Sequence, residues 1–322
     1  MELHQVFIIL INIQFLVAST RILNLIATDK TVDYTPFHTE VDIRYPRCIS
    51  MCSLNPECFS FDYTPPHQQG TNGVCNFYDV TFETYQNQTR SFKTQPGTKY
   101  YSYLIFKNCK DWYNVGYRRD GVYEVTLLAT QKRHVYCMME YEGGGWLAFH
   151  RRFDGSVNFE DRNWEEYKRG FGYADGEYYL GNEMLHLLTT SENHDWLVRA
   201  TNFSGTTKMK MIKNVHIENE DASYQLNYDL GDIDTTYSTA RYGMSMRGRP
   251  FSTVDRLSCL QSCIDDYGPW WHSQCHENAM NGPYQENVFY STSGIVWFQF
   301  DEDGENTYTN MKSDLIMIRP SS

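Results

Sequence analysis

Apolar positions along the chain change their period several times, and those changes predict its elements. From Val6 to Val17 runs a nearly unbroken apolar stretch that ends in Leu16-Val17-Ala18-Ser19. Small residues at that end suit signal peptidase, and roughly a dozen apolar residues fall short of the ~20 a membrane span needs. Residues 1–19 are therefore expected to be a secretory signal, and no later run qualifies as a span. From Val41 to Cys52 the apolar residues and cysteines keep a helical spacing that Leu54-Asn55-Pro56-Glu57 stops. Cys58 to Tyr63 and Val74 to Tyr78 alternate as strands on either side of a polar loop from Thr64 to Gly73, and Tyr100 to Phe106 alternates again.

Asn108-Cys109-Lys110-Asp111-Trp112 then opens a second segment with almost no linker. Alternation predicts strands at Gly121 to Val125, His134 to Cys137, Trp196 to Ala200, Lys208 to Ile217 and Ser223 to Tyr228, and helical spacing predicts helices at Trp164 to Phe171 and Asn182 to Leu188. Between them Gly143-Gly144-Gly145-Trp146 reads as a tight turn feeding a strand, because glycine reaches backbone conformations closed to residues with a Cβ. A phosphate-cradling loop would need a helix-forming Gly-Lys-Ser/Thr next, which is missing. Helices and strands are thus expected in both halves.

Composition narrows the partners. The formal net charge is −12 with no basic run, which excludes a nucleic-acid groove built on clustered cations. Nine cysteines fall into two groups, Cys48, Cys52, Cys58 and Cys75, then Cys109, Cys137, Cys259, Cys263 and Cys275. Exported proteins pair their cysteines, so an odd number leaves at least one over, and sequence alone allows three pairings of the first group. Asn87-Gln88-Thr89 and Asn202-Phe203-Ser204 are glycosylation acceptors of the kind found on exported proteins. Gly-x-Ser-x-Gly, His-Glu-x-x-His and Cys-x-x-Cys are all missing, and no enzyme is expected.

The helix carrying Cys48 and Cys52, the strand with Cys58, Ser60 and Phe61, and the strand with Cys75 together resemble a reduced apple/PAN module over residues 30–106. Cys109-Lys110-Asp111-Trp112, Asp120-Gly121-Val122-Tyr123, Gly143-Gly144-Gly145-Trp146, Arg151 to Phe159, Trp164 to Gly172, Tyr179 to Glu183, Trp270-Trp271, Asn281-Gly282 and Ile318-Arg319-Pro320 follow in order. In that order they resemble the fibrinogen C-terminal domain over residues 108–320, and the resemblance implies the fold class α+β, a mixed α+β domain after the small disulfide-pinned module. The two resemblances imply the bonds Cys48–Cys75, Cys52–Cys58, Cys109–Cys137 and Cys263–Cys275, and leave Cys259 without a partner. An exposed Cys259 would link two chains into a disulfide homodimer; a buried one would remain a thiol.

Members of the fibrinogen-related family bind ligands rather than catalyse. The lectin-like pocket of the family implies a site at Tyr267, at the Gln274-Cys275 bond, which is cis in those members, and at His276. Its two further tyrosine walls fall on Ser291 and Thr309, one residue beyond Tyr290 and Tyr308, and in a strand one residue reverses the face. The family calcium loop keeps Asp255 but has Leu257 in place of its second carboxylate, so weak or no calcium is expected and no other cofactor. Asp301 to Glu305 reads as a solvated hairpin turn rather than a cation site. The function expected is a secreted, lectin-like recognition protein for carbohydrate or surface patterns. The alternative is a module that engages a receptor or partner protein, for which the displaced tyrosines and lost carboxylate speak.

Overall fold

The computed structural model describes residues 23–66, 72–80, 92–128, 131–229, 233–234, 246–272, 275, 278–285, 293–298, 300 and 308–321. They belong to two compact units that divide between Ile105 and Phe106.

The first unit runs β1 (Leu23–Val32), β2 (His38–Ile43), α1 (Tyr45–Leu54), β3 (Ser60–Thr64), β4 (Gly73–Tyr78) and β5 (Phe92–Tyr103), its strands forming one antiparallel sheet in the order β1-β5-β3-β4-β2. Val41 to Ile43 is strand, not the start of the helix that its spacing suggested. Pro46 explains the shift, since a proline belongs in a helix's first turn, where its missing N–H is not needed. Cys48 and Cys52, one turn apart on the buried face of α1, are bonded to Cys75 on β4 and to Cys58. Phe61, Phe77 and Tyr101 pack beneath the helix, with the Phe61 and Tyr101 rings stacked 5.1 Å apart. On another part of the sheet Asp62 is buried, and desolvation raises its carboxyl above the usual range despite bonds from Thr31, Tyr78 and Asn76.

The second unit opens with α2 (Cys109–Asn114), β6 (Gly121–Leu127), β7 (Gln131–Met138), β8 (Trp146–Arg152), α3 (Trp164–Arg169), β9 (Phe171–Gly172), β10 (Tyr178–Tyr179) and α4 (Asn182–Ser191). It continues through β11 (His194–Asn202), β12 (Thr207–Ile217), β13 (Leu226–Asn227), β14 (Ile233–Asp234), α5 (Gln261–Tyr267), β15 (Asn278–Ala279), β16 (Val296–Phe298) and β17 (Tyr308–Pro320). The spine of its sheet is β13-β12-β11-β17-β8-β10-β9; β6 and β7 extend it from β8, and β15 and β16 from β17. Trp146, Ala148, Leu197, Met211, Leu315 and Met317 share one face of that spine and form a core. Ser223 to Tyr228 is strand only at Leu226–Asn227, because Ser223 and Tyr224 adopt positive φ after a short 3-10 turn. At Gly144 a Cβ would lie 2.3 Å from Met139 O and from the Tyr113 ring, and its φ is +59°, so the glycine run closes the turn into β8 on steric grounds.

Candidate functional site

Alternate residues of a strand share a face, and on one face of β8 stand His150 and Arg152, both buried. His150 Nδ1 is 2.6 Å from Asp314 Oδ1 on β17, and its Nε2 is 2.7 Å from Asn281 Oδ1. Asn281 Nδ2 in turn donates to Pro269 O at 2.8 Å, while Arg152 donates to Met280 O at 3.0 Å and to Gly282 O at 2.6 Å. Two side chains of the central sheet therefore anchor the backbone that follows α5. The His150–Asp314 pair is 0% exposed and its further partner is the Asn281 amide, which makes the pair part of that anchor.

The turn leaving α5 packs against the same anchor. Gly268 has φ +69°, and a Cβ there would meet Asn281 O at 2.5 Å. Tyr267 is thereby turned inward: it is 0% exposed and clusters with Cys263, Cys275, Ala279 and Val296, against which the half-buried Cys259 packs. Cys263 is bonded to Cys275, whose φ of +64° lies in the left-handed region.

Above that bond lies a cleft of about 640 Å³. Its polar lining among the described residues is Arg249, Ser258, Ser262, Asp266 and His272; Leu260, Cys259, Cys263 and Cys275 supply apolar and sulfur surface. Val254, Leu257 and Leu260, spaced by three in sequence, are all exposed, Leu260 by 72%. His272 is held by Nε2 at 2.7 Å from Gly268 O.

Of the residues the sequence pointed to, Cys275 lines this cleft and Tyr267 supports it from within without reaching its surface. Gln274, His276, Tyr290 and Ser291 lie outside the described residues, as do Asn87, Asp301 to Glu305 and residues 1–19. Tyr308 and Thr309 begin β17 paired with Phe298 and Trp297. Asn202 is buried, its Oδ1 accepting from Ser204 Oγ and Thr206 N, both at 2.8 Å. Asp255 Oδ1 accepts from Trp164 N at 2.8 Å and Thr253 Oγ1 at 2.7 Å, so it closes the N-terminus of α3. With that oxygen committed and an exposed Leu257 beside it, the loop does not fit a hard cation that takes six to eight oxygens. Arg249, Leu260, Ser262, Asp266 and His272 line the cleft without any motif in the sequence that marks them.

Residues 105–321 match the family model of the fibrinogen beta and gamma chains, C-terminal globular domain. Among similar proteins, Ryncolin-4 of Cerberus rynchops is 34% identical over 224 residues, 66% of this chain and 61% of its own length. Fibrinogen-like protein 1 of Homo sapiens is 31% identical over 237 residues, 67% of this chain and 72% of its own length. For Angiopoietin-2 of Homo sapiens the identity is 31% over 224 residues, which spans 68% of this chain but 44% of that protein. Of solved structures, the fibrinogen-like globe domain of human ANGPTL6 is 30% identical with a TM-score of 0.59, covering 68% of this chain and 97% of that one. The lamprey fibrin D-dimer, solved with the peptide ligand Gly-His-Arg-Pro-amide, is 27% identical with a TM-score of 0.53, covering 67% and 74%.

Proposed function

Since this protein belongs to the family defined by the C-terminal globular domain of the fibrinogen beta and gamma chains, we propose that it is a secreted, non-enzymatic recognition protein that takes a protein or peptide segment into the cleft over α5. The lining carries this reading. Arg249 and Asp266 offer opposite charges, the exposed Leu260 offers apolar surface, and Ser258 and Ser262 offer hydroxyls. A peptide with a charged and an apolar side chain meets all three. A sugar site would be expected to present an aromatic face, and the one aromatic wall described, Tyr267, is buried. That a related fibrin D-dimer was solved with a tetrapeptide amide supports the same ligand class. The first unit we read as apple/PAN-like, supported by a helix bonded through Cys48 and Cys52 over a five-stranded sheet.

The test is a peptide library and a glycan array probed with the full-length protein. Peptide binding that weakens at least about tenfold, about 1.4 kcal/mol, in both Arg249→Ala and Asp266→Asn is the expected result. Binding restricted to glycans would establish the lectin-like reading instead, and peptide binding indifferent to both substitutions would move the site elsewhere.

A further inference from the structure

Cys259, Cys263 and Cys275 all line the one cleft. Two of them are bonded to each other and the third is a free thiol. Cys259 stands two residues before α5, and its half-buried side chain packs against the cluster that contains the Cys263–Cys275 bond. A thiol packed against the cluster that holds a disulfide brings both reactants of an exchange into one neighbourhood. We propose that Cys259 is the exchange partner of the Cys263–Cys275 bond, and that the cleft interconverts between disulfide isomers.

The step balances within the molecule. The Cys259 thiolate attacks one sulfur of the bond, a new S–S bond forms as the old one breaks, and the expelled thiolate takes up the proton that Cys259 released. Attack at Cys263 Sγ gives Cys259–Cys263 and frees Cys275; attack at Cys275 Sγ gives Cys259–Cys275 and frees Cys263. The number of disulfides is unchanged, so no oxidant or reductant is consumed. Burial pushes the Cys259 thiol up, and a bond with Ser252 offsets part of that. The thiolate is then scarce at neutral pH and its share grows about tenfold per pH unit until the thiol titrates.

The exchange would alter the site. The present bond ties α5, which carries Ser262 and Asp266, to the segment just ahead of β15. A Cys259–Cys263 bond closes on the α5 side alone and unties Cys275. Ligand binding in the cleft would thus respond to which isomer is present, a consequence that rests on the function proposed above, whereas the exchange does not.

The experiment incubates the full-length protein at pH 7, 8 and 9 without added thiol, quenches in acid, alkylates free thiols and maps the non-reduced peptides by mass. Alkylation should move from Cys259 to Cys263 or Cys275, at a rate that rises about tenfold per pH unit. In Cys259→Ser, and in wild type whose Cys259 was first blocked with iodoacetamide, the Cys263–Cys275 peptide should persist throughout. Alkylation confined to Cys259 at every pH, or Cys259 consumed only in a bond between two molecules, overturns the proposal. Exchange without any effect of Arg249→Ala or Asp266→Asn on peptide binding would sink the binding site and leave the exchange standing.

Discussion

Glu177 and Lys210 are both buried charges. Glu177 is almost fully buried, yet its Oε1 accepts from Phe153, Asp154 and Gly155 N at 2.6, 2.9 and 2.9 Å and its Oε2 from Val157 N at 3.0 Å. Four N–H groups replace the water it lost and order the loop after β8. Lys210, on β12 opposite Val198, is held so far from water that burial lowers its ammonium from 10.5 to about 8. The sign follows from proton counting. Below about pH 8 both folded and unfolded states hold the proton and the fold bears the cost of a buried cation; between there and 10.5 the unfolded state binds more protons, so stability rises with pH. The gap corresponds to about 3 kcal/mol. Lys210→Met is therefore expected to be more stable at pH 7 and to lose its advantage as pH climbs through that window. Urea denaturation at pH 7, 8, 9 and 10 checks it, and equal stability differences at every pH would remove Lys210 from this role.

At the scale of elements, long periods were readable and short elements were not. The helices predicted from Trp164 and Asn182 start where expected, since an aromatic and aliphatic stripe at helical spacing needs little else. By contrast α5 has seven residues and takes its position from the Cys263 bond and the turn at Gly268, both products of tertiary structure. The cleft was unreadable for the same reason: Arg249 and Asp266 both line it from segments that no local pattern links. Its cysteines entered through the family resemblance and not through spacing. The Asp255 loop shows a family feature put to another use, because its carboxylate closes α3 through Trp164 N. Calcium is then expected to leave the protein's stability unchanged. A site of micromolar affinity would add about 4 kcal/mol at millimolar calcium and shift the melting temperature by several degrees. Scanning calorimetry with 1 mM calcium, roughly a thousandfold above such a Kd, and with chelator decides; a rise that vanishes in Asp255→Ala would show that the loop coordinates after all.

At the scale of the whole molecule, the disulfides stay within the two compact units. Cys48, Cys52, Cys58 and Cys75 bond among themselves in the first unit, and Cys109, Cys137, Cys263 and Cys275 in the second, so none of these bonds crosses the boundary at Ile105 and Phe106. Loop-closure entropy assigns about 6 kcal/mol to the pair of bonds in either unit. That sum is not equally important to both, because a smaller unit buries a smaller fraction of its surface and has less margin without its cross-links. Among the described residues the second unit has a twelve-stranded sheet and fully buried Trp146, Trp196, Trp270, Trp271 and Trp297, whereas the first has a five-stranded sheet and no tryptophan. Calorimetry of the full-length protein should accordingly show two transitions, and mild reduction should abolish the smaller one while the larger survives at a lower temperature. A single transition that moves as one upon reduction would mean that the two units stand or fall together, and that the cysteine grouping reflects two bonded neighbourhoods within one cooperative fold.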